Sequence, residues 1–496
     1  MSTETSFAWA LVSLYAAAVV WMAVRGRRSS RSMAAFSVGT RTVSPVFVGL
    51  SLAANLTSAA TFVINPGLIY LYGWSGVLGY AVAAPLGIFL GLVVFSKSFR
   101  RVGDRFTVLT VPQWIGDRFG DRRLKVWFAL LSLLQVSFLV LIVVGITLVL
   151  ANILQVPVPV ALVATVAFTF AYILLGGATT HIMTNSIQAG IMIVVAVIFL
   201  ASGARFFAGG PGAFMDRLAG VGPYYAGVVN PRSLLFRNLF EVFAANFVVG
   251  VAIILQPHVI VKALYLRTER DVNRYLTIAI VVATLFFAVL LTGLFARLTL
   301  HDPSLPPDRV MATYIVSHFA PPIRALIGLG ILAAGFSTLE GILVALSSIF
   351  ANDFLATVAP AHTADHTRDR SLRAARLFLV VLAPVTLLLS RQQILHPSLS
   401  VAIFAQNGVY GLFSATFVPV LFGVFSRTMA RGWIFGASAA ALAVHFGIVY
   451  FRITPYHTNP AMAATAAIAS GLLVMAVGVA LGRVRAAVPA PGASGS

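Results

Sequence analysis

Apolar residues run along this chain in long blocks rather than in alternation or on one helical face. Blocks of about twenty residues or more, the length a helix needs to cross roughly 30 Å of hydrocarbon, cover 7–25, 43–71, 75–96, 124–153, 157–175, 183–204, 236–256, 275–299, 321–350, 374–393, 399–425, 431–451 and 460–483. In lipid a backbone is satisfied only inside helices or a closed barrel, and runs this long predict helices. The pattern predicts an all-α membrane protein of about thirteen transmembrane helices. The second block carries Asn65-Pro66-Gly67 in its interior, which predicts a break there. Between blocks nothing resembles a soluble domain: the longest segments are roughly 205–235, 97–123 and 352–373.

Composition strengthens this picture, with 59% hydrophobic residues, 10% charged residues and a mean hydropathy of +0.95, outside soluble globular usage. A net charge of +20 would suit a nucleic-acid partner, but the positions of the basic residues exclude one. With the N-terminus outside, the cytoplasmic segments hold 25 of the 34 Lys and Arg, as the positive-inside rule requires. The expected setting is a bacterial-type inner (plasma) membrane, multi-pass, with a cytoplasmic C-terminus and the lipid bilayer as partner. The richest segment, Lys97 to Lys125, includes Arg100, Arg101, Arg105, Arg118, Arg122 and Arg123 and reads as topology and headgroup contact. The first span is followed by Arg25, Arg27, Arg28 and Arg31, the reverse of a secretory signal, and is expected to be retained. Absence of cysteine excludes disulfides, Cys metal sites and thiol catalysis. No triad, P-loop or redox motif is present, so neither an enzyme nor an organic cofactor is expected.

Polar clusters inside apolar spans cost free energy unless they face a cavity or a partner. They occur at Ser51 to Gly67, Thr184 to Gln188, Asn246 to His258 and Ala333 to Gly341, with a weaker instance at Gln406-Asn407-Gly408. A helix unwound near Ser51 to Ser58 would free carbonyls, the ligands a hard cation prefers, and would turn half-helix dipoles toward a solute. The same small residues would also serve as a packing face. Ser337 and Thr338 could complete a sodium cage or simply bond back one turn along their own helix.

Taken in order, these features resemble the sodium:solute symporter family over roughly residues 36 to 425. Phe36 to Arg41 resembles its Gly-Gly-Arg loop, with Thr40 for the second Gly, and Pro66-Gly67 with Tyr72-Gly73 its "PG…YxxG". Tyr172, Gly176-Gly177 and Thr184 to Gln188 resemble "Y…GG…TDxxQ"; Gln256-Pro257-His258 with Lys262 resembles "QPH…R" of the proline and pantothenate branch. Leu332 to Leu339 resembles "LAAxxSTL", followed by Asn352-Asp353. The resemblance implies a five-plus-five inverted-repeat (LeuT-type) core. It divides the chain into a flanking helix and loop at 1–42, repeats at 43–204 and 236–425, an external loop at 205–235, two flanking helices at 426–483 and a disordered tail at 484–496.

Carried over to this chain, the family's sodium site falls on the carbonyls of Ala53, Leu56 and Ala334 and the hydroxyls of Ser337 and Thr338. Substrate-facing positions fall on Asn55, Ala59, Ala60, Asn246 and Gln406. Two departures bear on coupling. Asn185 replaces the usual Asp, which argues for a single sodium, and Glu340 stands where the family has a small polar residue. Glu340 reads as the partner of a buried cation, as a proton-titrating group or as part of the ion site. Ala59 and Ala60 replace a Glu-Gln pair of the sugar carriers, which argues for a smaller, carboxylate-bearing solute such as an amino acid or monocarboxylate. His258 reads as a cap or headgroup contact at a cytoplasmic helix end, and Arg237 with Glu241 as an ion pair. The expected function is uptake of a small organic solute coupled to inward sodium flow. The alternatives are a proton-coupled carrier using Glu340, or an uncoupled carrier or sensor on the same fold.

Overall fold

The computed structural model describes residues 3–26, 32–39, 43–300, 302, 304–359, 364–396, 401–426 and 431–481. Arg27, Arg28, Arg31, Thr40, Arg41 and the tail 484–496 lie outside the described residues. The described residues form helices and connecting turns, with no strand. In chain order the principal helices are α1 (Thr3–Gly26), α2 (Pro45–Leu56), α3 (Asn65–Tyr72), α4 (Ala84–Phe106), α5 (Val136–Leu154), α6 (Val158–Gly176), α7 (Ala178–Ser202), α8 (Asn246–Ile253) and α9 (Pro257–Ile260). There follow α10 (Glu269–Ala288), α11 (Thr292–Leu300), α12 (Pro321–Ile349), α13 (Ala364–Leu395), α14 (Val401–Phe425), α15 (Arg431–Phe451) and α16 (Pro460–Ala480). Eleven described stretches are long and apolar enough to span a bilayer, and two bent pairs bring the number to 13.

The bent pairs position the chemistry. Helix α2 and the stretch Ala60–Tyr72 meet at 51°, and the stretch Phe240–Ile253 meets Pro257–Tyr265 at 60°. They are the second and seventh spans, so each break stands at the head of five successive spans. The first break falls at Thr57-Ser58 rather than at Asn65-Pro66-Gly67. Proline inside a helical stretch is accommodated where the hydrogen-bond ladder widens ahead of it. A wider π-type turn over Ala60–Ile64 leads into it. Two glycines allow helix backbones to touch at these spans. A Cβ on Gly67 would lie 2.0 Å from the Pro307 carbonyl oxygen, and one on Gly250 2.1 Å from the Ala84 carbonyl oxygen.

Burial separates centre from rim. The stretch Pro321–Val358 has 94% of its most apolar window inside the protein, against 28% for both α1 and Arg370–Leu395. Helix α12 is therefore the central post, and the outer helices show lipid-facing side chains such as Leu14, Trp21, Leu377 and Leu388. The basic segment read as headgroup contact does more than that. Arg118 donates from Nε to the Gly423 carbonyl at 2.7 Å and from Nη2 to the Ser426 carbonyl at 2.7 Å, tying down the end of α14. Arg100 donates to the carbonyls of Leu266 and Arg267. The Arg237–Glu241 pair forms at 2.5 Å, and Glu241 also accepts from the Asn459 amide, pinning α16 to the start of the seventh span.

Candidate functional site

Where α2 stops, Thr57 turns to extended backbone (φ −122°, ψ 110°) and the last carbonyls of the helix lose their amide partners. Side chains take up part of the loss. Thr57 Oγ1 donates to the Ala53 carbonyl at 2.9 Å, and Ser58 Oγ accepts from the Ala60 amide at 3.2 Å. Leu56 is the final helical residue, so its carbonyl points into the break. Helix α12 crosses here on the small residues Ala333, Ala334 and Gly335, all buried. Ser337 Oγ lies 3.0 Å from the Ala54 carbonyl and 2.9 Å from the Ala334 carbonyl, and Thr338 Oγ1 lies 3.3 Å from the latter.

A hydroxyl carries one proton, so Ser337 can serve only one of its two carbonyls at a time. Acceptor capacity is left over in a site closed to water, where Ala54, Ser337 and Thr338 are fully buried. Neutral carbonyl and hydroxyl oxygens at a helix break suit a hard monovalent cation. Of the sequence-derived sodium residues, the structure brings Ser337 across to α2, while Thr338 bonds back to Ala334 within α12. The direct cross-helix contact is made by Ala54, the neighbour of Ala53. Back-bonding within α12 and contact across to α2 are both made by Ser337, so packing and cage use the same hydroxyl.

Beside this cage lies a chain of amides. The Asn55 and Asn185 side chains meet at 2.5 Å. The hydrogen-bond pattern orients Asn55 so that its nitrogen donates to the Ser337 carbonyl at 2.8 Å and its oxygen accepts from Lys262 Nζ at 3.2 Å. Lys262 also donates to the Ser51 carbonyl at 2.8 Å and to Ser51 Oγ at 2.5 Å. Counted with the cytoplasmic basic residues on sequence, Lys262 is instead 0% exposed, because the chain after α9 continues inside the bundle through Val261–Tyr265. His258 is buried too, with its Nδ1 at 3.0 Å from the Gln135 amide rather than at the membrane surface.

Glu340 occupies the other side of α12. Its Oε1 accepts from Tyr172 at 2.6 Å and Gln188 at 3.1 Å; its Oε2 accepts from Thr184 at 2.6 Å and stands 3.2 Å from His181 Nδ1. Tyr172, Thr184 and Gln188 are separate members of the "Y…GG…TDxxQ" resemblance, and here they converge on one carboxyl. Neither Ser337 nor Thr338 is among its hydrogen-bond partners. The sequence contained the signal, three hydrogen-bonding residues and one intramembrane acid, but not the pairing.

The substrate-facing candidates divide. Asn55 belongs to the amide chain just described. Ala59 faces Gly145 and Gly335, and Ala60 packs with Val140, Leu141, Val144, Ala402 and Ala405. Asn246 donates to the Glu241 carbonyl at 2.7 Å and abuts Gly79. Gln406 meets the hydroxyl of Tyr80, a residue not singled out on sequence, whose ring packs edge-on against Phe236 at 5.1 Å. Gly79 and Tyr80 lie in a π-type turn, Leu78–Ala83, and Asn246 follows another, Phe240–Ala245. Such turns recur at functional sites because they re-aim side chains. On the side of Ser37 and Thr110, a cavity of about 20 Å³, room for about one water, reaches His181, His258 and Gly341.

Comparison with known proteins bears on family and fold. The sequence profile of the sodium:solute symporter family matches residues 36–439. The sodium/pantothenate symporter of Haemophilus influenzae is 24% identical over 331 residues, 66% of either chain, so the alignment spans just under two thirds of that relative. The sodium/proline symporter of Staphylococcus aureus is 22% identical over 465 residues, 89% of this chain and 86% of that one. A solved structure of a Na+-coupled sialic acid symporter, in a substrate-bound outward-open state, superposes with a TM-score of 0.80 at 16% identity. It covers 96% of this chain and 97% of that one, a likeness of fold.

Proposed function

The chain belongs to the sodium:solute symporter family, and from that premise we propose that it is a secondary active carrier coupling inward sodium flow to uptake of a small carboxylate-bearing solute. One observation carries the reading: Ser337 Oγ reaches the Ala54 carbonyl across the break at 3.0 Å, so the cage spans two helices instead of one. An ion held by carbonyls of α2 and hydroxyls of α12 ties the broken span to the central post. The solute site follows from the same break, since Ala59 and Ala60 are the next residues, with Asn246, Tyr80 and Gln406 beyond them. Sodium favours the state in which both sites are formed, and coupling is the difference in its affinity between states. The N-terminus lies outside and the chain sits in a bacterial-type plasma membrane. Pantothenate and proline, named for the relatives, both bear a carboxylate, which supports this substrate class.

Asn185 and the fixed position of Glu340 favour one sodium per cycle. Three donors and the His181 ring nitrogen face the Glu340 carboxyl, which supports its role as a fixed hub over a role as mobile proton carrier. The test is uptake by the double variant Ser337→Ala, Thr338→Ala at graded sodium. Loss of two ligands at about 1 kcal/mol each raises the half-saturating sodium concentration on the order of tenfold or more; an unchanged sodium curve would sink this site. A thermal-shift screen of small carboxylates, amino acids and sugars, each in sodium and in potassium, identifies the solute, because true ligands stabilise the folded state by linkage.

A further inference from the structure

Lys262 is out of place by every ordinary rule for a lysine in a membrane protein. A buried ammonium normally pairs with an acid or snorkels to the interface. Lys262 does neither: among the described residues no carboxylate lies within 4.0 Å of Nζ, and the residue is 0% exposed. What it has is an oxygen nest of Ser51 O at 2.8 Å, Ser51 Oγ at 2.5 Å and Asn55 Oδ1 at 3.2 Å. A carbonyl, a hydroxyl and an amide oxygen are the donor types a free cation would select.

The charge balance points the same way. Glu340, 1% exposed, is a buried acid of the same central region as Lys262. The two are linked through groups packed between them rather than by contact. Asn55 accepts from Lys262 and its amide nitrogen stands against the Asn185 side chain, and the backbone of Gly341 lies so close to Asn55 that a Cβ there would come within 2.4 Å of its amide. One positive charge in the Ser51–Asn55 nest would offset a carboxylate at Glu340.

We infer that Lys262 is a tethered cation filling a second cation site of the core, and that the same oxygens take up a free sodium ion when the lysine is removed. The inference rests on the sodium-coupling reading for its frame and deepens it, since a permanently filled second site leaves one place for an exchangeable ion.

Radioactive sodium bound per purified chain at saturation tests it, with choline holding ionic strength constant. The wild type is expected to bind one ion, Lys262→Ala two, and Lys262→Arg one. The pair Lys262→Ala, Glu340→Gln is expected to return to one, because the counter-charge has gone. A Lys262→Ala count equal to wild type overturns the inference, as does a double variant that still binds two. If the alanine variant does not survive purification in sodium, Lys262→Met fills the space of the lysine stem and is read by the same count. The inference is judged on the difference between variant and wild type. Sodium coupling itself is judged on the wild-type count, so a wild type that binds none defeats the proposed function alone.

Discussion

The two broken spans occupy equivalent places in the fold and carry opposite chemistry. Both stop a helix inside the bundle, both follow or precede a π-type turn, and both are held by a glycine pressed on a neighbouring backbone. At the first break the freed groups are neutral oxygens, from Ala53 to Leu56, faced by the Ser337 hydroxyl. At the second, a short turn of helix folds back inward and delivers His258 and Lys262 to the interior. One break offers a place for a cation; the other supplies a cation of its own. Shared geometry therefore fixes where the chain opens, while the residues at each opening decide what it holds.

If the mechanical half of this comparison is right, the two glycine clamps should fail alike. In Gly67→Leu and Gly250→Leu, the new side chain begins 2.0 Å and 2.1 Å from carbonyl oxygens of the facing backbone, atoms that cannot swing aside. Loss of folded, monodisperse protein on size-exclusion is expected for both. Gly190→Ala, with nothing within 4 Å of its Cβ, should behave as wild type. A Gly67→Leu that folds while Gly250→Leu does not would mean the first span is not clamped, and the equivalence would be lost.

Of the fold, hydrophobic blocks revealed nearly every span, because crossing a bilayer demands a length and a composition that sequence displays directly. The position of the breaks was harder. Asn65-Pro66-Gly67 looks like the interruption, yet the chain opens at Thr57-Ser58, within the Ser51 to Ser58 stretch whose small polar residues also suggested unwinding; there the Thr57 hydroxyl replaces a lost amide donor and the Ser58 hydroxyl caps the Ala60 amide. Lys262 was hidden for the opposite reason. Basic residues between spans normally mark the cytoplasmic side, and nothing local tells a loop lysine from one that folds back under α2. Tyr80 escaped notice since an aromatic residue in an apolar run has no distinguishing pattern. The family resemblance supplied Ala334, Ser337 and Thr338, but only the packing of α12 on α2 brought Ala54 to them.

The electrostatic half of the comparison is probed next by Glu340→Gln. A carboxylate accepts at both oxygens; an amide presents N–H groups to part of the set of Tyr172, Thr184, Gln188 and His181 that now converges there. Losing a charged acceptor of buried hydrogen bonds costs about 1.5–3 kcal/mol. A drop in thermal midpoint is expected, with a smaller loss when Lys262→Met is combined with it. An E340Q protein as stable as wild type would show that Glu340 does not balance the second break.

The finest distinction lies in how each break satisfies its freed carbonyl. Thr57 Oγ1 donates to Ala53 O at 2.9 Å, and Gln256 Nε2 donates to Ile253 O at 3.2 Å, the same service on two sides of the repeat. Thr57→Val keeps shape and removes one hydrogen bond, a cost of about 1 kcal/mol. Gln256→Leu should cost no more, because Gln256 Oε1 is itself buried without a partner and its removal returns part of the loss. On stability the two variants are therefore nearly matched. They should part on sodium: freeing the Ala53 carbonyl re-aims an oxygen of the proposed cage, so Thr57→Val shifts the half-saturating sodium concentration by about twofold to fivefold, within the reach of one hydrogen bond. Gln256→Leu leaves it alone. Equal sodium shifts in both would mean that the two breaks respond as one unit, and that the division between an ion-holding break and a charge-bearing break is not how the protein works.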